Sequence, residues 1–222
     1  MSDIEQDSIN YRDEVIRKLI HLCSLSIPII AANIPKNISV SILAAMTLVA
    51  LVLDLGRHFN SAMGKFFNTF FGFMMRKHEV DQKKKNLNGA TYVLLSALIC
   101  IILFPPKIFS TAFSVLIISD TTAALIGRKF GRHKFLAKSL EGTLAFFISA
   151  VVVVLVAPKA QGLALEYVIG IVAVAFGAIV ENISFGWADD NFSIPISIGF
   201  FMWGCYLWLL PDTLNLLSYA VR

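Results

Sequence analysis

Residues 107–127 read KIFSTAFSVLIISDTTAALIG. After Lys107 this run carries a single charge, Asp120, and as a helix rising ~1.5 Å per residue it is long enough to cross the ~30 Å hydrocarbon layer of a bilayer. Seven comparable apolar runs follow one another along the chain, at 19–35, 38–56, 88–105, 107–127, 138–157, 162–181 and 192–210. Of the 222 residues, 57% are hydrophobic and 15% charged, against roughly 45–50% and about 25% in soluble globular chains. A soluble globule would have to expose that apolar surface, and a disordered chain has the opposite bias. The composition therefore predicts an all-α polytopic membrane protein with about seven transmembrane helices, forming a single domain over 1–222.

Prolines support these boundaries. Pro35, Pro105, Pro106, Pro158 and Pro211 fall between runs, where a residue lacking an amide donor belongs; Pro195 is read as starting the seventh helix, and only Pro28 interrupts an interior. Fifteen of the nineteen Lys and Arg residues lie in 1–18, 57–87 and the loop entering the fifth run, whereas Lys36, Lys107, Lys159 and Arg222 fall on the other side. The positive-inside rule then places the amino terminus (tail 1–18) and the 57–87 connector in the cytoplasm, with the carboxyl terminus opposite. The acidic start of the chain does not fit a secretory signal. Cys23, Cys100 and Cys205 lie within apolar runs and read as packing residues.

Within the connector, Phe59, Met63, Phe66, Phe67, Phe70, Phe71 and Met74 share one face at helical spacing, which predicts an amphipathic helix in the membrane interface, with an additional span as the alternative. The following segment, HEVDQKKKN, reads as a solvated loop.

Six carboxylates, Asp54, Asp120, Glu141, Glu181, Asp189 and Asp190, fall at the cytoplasmic ends of the runs. A carboxylate at mid-bilayer costs about 2.5–3.5 kcal/mol on insertion scales, so these groups are expected to face protein, water or cations. Asp120 lies seven residues before Gly127, or ~10 Å inside that end. Asp120, Ala124, Gly127 and Gly131 form a small-residue stripe suited to a close helix neighbour, and Gly170, Ala173, Gly177 and Glu181 repeat it. Ordinary helix packing is the alternative for the glycines, and pairing with nearby Arg and Lys is the alternative for the acids.

Acids gathered beside many cations suit polyphosphate with Mg²⁺, which takes one or two carboxylates plus phosphates and water. The segment DTTAALIGRKFGRHKFLAKSLEG (120–142) has the parts for this: a carboxylate, a helix end at Gly127 and Gly131, a basic turn, and a new helix opened by Lys138 and Ser139 whose amides favour phosphate. Lys138 and Glu141 are expected on one face of that helix. ENISFGWADDNFSIP (181–195) adds Glu181, Asp189, Asp190 and Asn191.

These residues resemble a family. Asp120-x-x-Ala123, Gly127-Arg128-Lys129-Phe130-Gly131 and Lys138-Ser139-Leu140-Glu141-Gly142 look like the signature of the CTP-dependent lipid-alcohol kinases, which include dolichol kinase, phytol kinase and CTP-dependent diacylglycerol kinase. Arg17-Lys18-x-x-His21, Asn88-Gly89-Ala90-Thr91-Tyr92, and Glu181 with Asp189-Asp190-Asn191 and Pro195 match in the same order, across nearly the whole chain.

The resemblance implies transfer of the γ-phosphoryl group of CTP to the hydroxyl of a membrane lipid: phytol, a polyprenol, dolichol or diacylglycerol. It implies Asp120, Glu141 and Lys138 as catalytic residues and Mg²⁺ on Asp120, Glu141, Glu181, Asp189 and Asp190. Arg128, Lys129, Arg132, Lys138, Ser139, Gly127 and Gly131 would hold the CTP phosphates, with Arg17, Lys18, His21, Asn88 and Asn191 as further candidates. Arg17 and Lys18 also read as topology determinants, and His21 as an interfacial packing residue.

Phosphatidate cytidylyltransferases share the Asp-Ala-Gly-basic-Gly segment, but this chain lacks their Gly-His-Gly-Gly-like stretch. An ion-coupled transporter, the rival from another class, would place its acids near the midplane within inverted repeats. The expected partners are CTP, the lipid alcohol and the bilayer, with no nucleic acid and with a second copy of the chain, in a homo-oligomer, as a further candidate.

Overall fold

Long apolar stretches bounded by proline or by a side chain able to cap free amides set most of the elements. The computed structural model describes residues 11–59, 64–65, 69, 87–184 and 189–217. In chain order these form α1 (Tyr11–Cys23), α2 (Ser26–Ala31), α3 (Lys36–Phe59), α4 (Gly89–Leu103) and α5 (Pro106–Phe130), then a two-residue hairpin of β1 (Lys134–Phe135) and β2 (Lys138–Ser139). They continue with α6 (Leu140–Val156), α7 (Ala164–Ile183), α8 (Asp190–Leu209) and a 3₁₀ segment, Pro211–Leu217.

The architecture is all-α apart from that hairpin. Among the described residues, four helices are long and apolar enough to cross a membrane: Lys36–Arg57 within α3, and α5, α7 and α8. The helices α4 and α6 are apolar but shorter, so the described residues support four full-length spans of the seven expected. The run at 19–35 is not one helix, because the chain breaks at Ser24–Leu25 between α1 and α2. Pro28 lies buried inside α2, its missing amide falling in the first turn, where a helix leaves amide hydrogens unbonded anyway. Helix α8 starts at Asp190, so Pro195 sits within it rather than at its start. The interfacial helix expected around 59–74 and the loop at 78–86 lie largely outside the described residues.

The centre of the bundle is α5, which packs on α6, α8, α1 and α2. It contributes Phe109, Ala112, Phe113, Leu116 and Ile117, all 0–1% exposed. Outward faces are apolar, as a lipid-facing surface requires: Met46, Val49 and Val52 on α3, Ile148 and Val152 on α6, and Val172 and Phe176 on α7 are exposed.

Small residues bring α5 and α6 together. A Cβ on Gly142 would lie 3.1 Å from the Ala123 carbonyl oxygen and 3.2 Å from Gly127 Cα, backbone atoms that have no rotamer by which to yield. The expected stripe on α7 behaves likewise, since Gly170 faces Val154 of α6 and Gly177 faces Ile198 of α8.

At the opposite end of the bundle, Glu166 is fully buried. Its carboxylate accepts amide hydrogens from Ala160 (2.6 Å), Gln161 (2.9 Å) and Leu163 (3.0 Å) and the Tyr206 hydroxyl (2.9 Å). This closes the α6–α7 loop. Lys159 in that loop binds the Val154 and Ala157 carbonyls at 2.5 and 2.6 Å; burial lowers its pKa against the opposing pull of Glu166.

Gly142→Val is expected to force α5 and α6 apart and lower stability by ~1–3 kcal/mol, the usual cost of overpacking, seen as a lower midpoint of unfolding in detergent. Gly204→Val, where an added Cβ meets nothing within 4 Å, should leave the midpoint unchanged.

Candidate active site

The up-and-down path brings the ends of α3, α5 and α7 and the starts of α4, α6 and α8 to one level. Asp120 enters from α5. It is 3% exposed and, because α5 continues to Phe130, it lies ten residues from the helix end, or ~15 Å at helical rise. Removing a carboxylate from water at that depth requires a cation beside it. Lys18 of α1, 1% exposed, donates its ammonium to Asp120 Oδ2. His21 Nε2, one turn further on, lies 3.6 Å from the same oxygen and has no hydrogen-bond partner.

A second group forms around Lys138. Its Nζ lies 2.5 Å from Glu181 Oε1 of α7 and 3.8 Å from Asp190 Oδ2 of α8. The hairpin places Lys138 there, pairing Lys134 with Ser139 and Phe135 with Lys138. Its tip needs a left-handed Leu136 (φ 48°), a conformation unfavourable for a residue with a Cβ. The buried Asn182 holds it: Oδ1 accepts the amides of Ala137 (2.9 Å) and Lys138 (3.2 Å), and Nδ2 donates to Thr143 Oγ1 (2.6 Å). The two groups interact electrostatically, Asp120 with Lys138 and Glu181, and Asp190 with His21. Lys18 with Asp120, and Lys138 with Glu181 and Asp190, thus form two neighbouring groups of opposite charges, with His21 beside the first.

Other expected residues stand around it. Glu141 turns to the loop, where it accepts the His133 amide (3.2 Å) and meets His133 Nδ1 (2.7 Å). The expectation that Lys138 and Glu141 share a helix face is corrected by the fold: Lys138 and Ser139 are extended, α6 begins at Leu140, and the two side chains point to different partners. Ser139 caps α6 by accepting the Gly142 amide (3.2 Å), with Gly127 and Gly131 packed close to its hydroxyl.

Lys129 and Arg132 are exposed. Arg128 reaches Glu14 at 3.4 Å, and Arg17 binds Glu14 at 2.5 Å. Asn88 caps α4 through the Thr91 amide (3.0 Å). Asp189 caps α8, accepting the Asn191 amide (2.9 Å) and side-chain Nδ2 (2.7 Å).

Among the described residues, no three His, Cys, Asp or Glu side chains converge closely enough to hold a metal ion by themselves. Asp120, Glu181 and Asp190 are nonetheless hard oxygen donors set among lysines, a donor set that suits Mg²⁺ arriving with phosphate ligands of its own.

Two residues, Glu14 and Asn182, escaped the sequence reading, and Asp54 has a partner the sequence did not show. Glu14, 1% exposed, belongs to a tail whose many acids suggest solvent; burial pushes its carboxyl up, but Arg17, Lys18 and Arg128 outweigh this and hold it at about 2. Asn182 carried no signal beyond adjacency to Glu181. Asp54, 0% exposed, accepts the Asn88 amide at 2.7 Å and lies 2.7 Å from Arg57 Nε, tying α3 to the start of α4.

The uncharacterized protein RP860 of Rickettsia prowazekii is 31% identical over 182 residues, 82% of this chain and 89% of its own. A phytol kinase of Synechocystis is 34% identical over 104 residues, 40% of this chain and 41% of its own. CTP-dependent diacylglycerol kinase 1 of Saccharomyces cerevisiae is 28% identical over 183 residues, 70% of this chain and 60% of its own. The chain therefore spans less than two thirds of either kinase. No family model and no solved structure matches it.

Breaking the buried pair leaves an uncompensated charge. Lys18→Ala is expected to lower stability by ~3–5 kcal/mol, whereas Lys18→Met combined with Asp120→Leu should recover most of that loss. Denaturant titration in detergent, followed by tryptophan fluorescence, measures both.

Proposed function

The chain belongs to the family of the Rickettsia prowazekii protein and has a phytol kinase and CTP-dependent diacylglycerol kinases as distant homologues, and on that premise we propose that it is a CTP-dependent kinase of a membrane lipid alcohol. The observation that carries this reading is the pair of neighbouring groups, Lys18 with Asp120 and Lys138 with Glu181 and Asp190, which interact electrostatically. Phosphoryl transfer needs little covalent chemistry from a protein and depends on positioning and on neutralising phosphate charge. A cluster of lysines and carboxylates at the membrane boundary supports both tasks.

In this reading CTP enters from the cytoplasm. Arg128, with Lys129 and Arg132 on the exposed turn, receives the phosphates, and Lys138 meets the phosphate nearest the buried carboxylates. Asp120, Glu181 and Asp190 would hold Mg²⁺, which would supply neutralisation of the phosphate charge, with Glu141 and Asp189 at the rim. The acceptor oxygen forms a bond to the γ-phosphorus as the bond from that phosphorus to the bridging oxygen of CTP breaks. CDP leaves, and the hydroxyl proton passes to a carboxylate of the cluster, for which the depth of Asp120 suits it best.

The test is the purified protein with γ-labelled CTP, Mg²⁺ and, in turn, phytol, geranylgeraniol, a polyprenol, dolichol and diacylglycerol. Label is expected in a phospholipid with release of CDP; formation of a CDP-lipid with pyrophosphate would overturn the kinase reading in favour of cytidylyl transfer. Asp120→Asn, assayed well below its unfolding midpoint, should lower turnover at least ~100-fold, the scale of losing a group that acts in the transition state, whereas Glu141→Gln at the rim should lower it less.

A further inference from the structure

Glu14 is a buried charge that the proposed transfer does not use. It lies one helical turn before Lys18 on α1, and both of its oxygens are engaged by Arg17, at 2.5 Å to Nη2 and 3.3 Å to Nε. Arg128 of α5 brings its Nη2 to 3.4 Å. Two guanidinium groups from different helices therefore share one carboxylate. Like charges repel at this range, so holding the two side by side requires an anion between them.

Exposure is graded across the trio. The side chain of Glu14 is 1% exposed, that of Arg17 11% and that of Arg128 32%. The carboxylate is closed in by protein, and exposure rises from it through Arg17 to Arg128. An Arg fork matches phosphate oxygens in geometry as well as charge, which a Lys ammonium does not. Next to this pair, Lys18 turns inward to Asp120, so the arginines stand at the mouth of the cluster.

We infer that Glu14 is a positioning residue, clamping Arg17 and Arg128 together so that the pair binds one phosphate group of the nucleotide donor. The inference rests on the reading of the neighbouring cluster as a site for nucleotide phosphates. Glu14 touches no reacting atom; it acts through the two arginines.

The full chain in detergent is tested in two ways: equilibrium binding of inorganic tripolyphosphate, which needs no catalysis, and steady-state turnover with CTP. Glu14→Gln is expected to weaken tripolyphosphate binding and raise the KM for CTP, each ~5–10-fold, while kcat and the KM for the lipid change less than about twofold. Arg128→Gln should do the same, and the double variant should lose less than the product of the two single losses, because Glu14 acts partly through Arg128. Glu14→Asp keeps the charge but withdraws it by one methylene; it should fold even if the glutamine variant does not, with a loss of roughly two- to threefold.

Wild-type tripolyphosphate binding in a folded Glu14 variant would overturn the inference, as would multiplying losses in the double variant. If the wild type binds tripolyphosphate in a Glu14-dependent way yet transfers nothing from CTP, the clamp stands and the kinase reading falls.

Discussion

The contact on which the arrangement depends is the ion pair between Lys18 and Asp120. A carboxylate ten residues inside α5 is tolerable only with a cation beside it, and that cation comes from a helix some hundred residues earlier in the chain. The demand dictates the character of α1. Glu14, Arg17, Lys18 and His21 recur at offsets of three, four and seven and therefore share a face, which turns toward α5. Ile16, Leu19 and Ile20 are left exposed on the other side. For a soluble helix this would be inside out; beside lipid it is the stable orientation.

The rest of the bundle holds that pair within reach of the second cation. Contact between Gly127 and Gly142 sets the spacing of α5 and α6, and the short hairpin between them delivers Lys138 to Glu181 and Asp190. Asn182 fixes the hairpin backbone from α7. At the far end, the amide nest around Glu166 and its bond to Tyr206 tie α7 to α8, so the two acidic helix ends near Lys138 belong to helices also joined at their other ends. Charges at one end are thus held by neutral packing along the length and by a second buried carboxylate at the other end.

Much of this was legible in the residues. Apolar runs and prolines located α3 to α8 because a helix in lipid must satisfy its own backbone, leaving long unbroken patterns. The first run misled, since composition says how many apolar residues there are but not where the backbone breaks; Ser24 and Leu25 give no strong signal. Asp120 stood out by depth alone, and the glycine stripes marked close helix approach correctly. Glu141 was harder, because assigning it to the face of Lys138 assumed that both lay on one helix, whereas Ser139 caps the helix and leaves Lys138 extended. Glu14 was hidden among tail acids, and its burial is a tertiary fact: nothing local shows that Arg128 would come to meet it.

In the proposed function, Asp120, Lys138, Glu181 and Asp190 receive the phosphate end of a nucleotide together with a divalent cation. A structure determined with a non-hydrolysable CTP analogue and Mn²⁺, with the metal located by its anomalous scattering, tests this most directly. The triphosphate is expected to run from Arg128 toward Lys138, with Mn²⁺ held by at least one of those carboxylates. Anomalous density remote from all three carboxylates, or the nucleotide seated elsewhere with Lys138 still locked on Glu181, would contradict it.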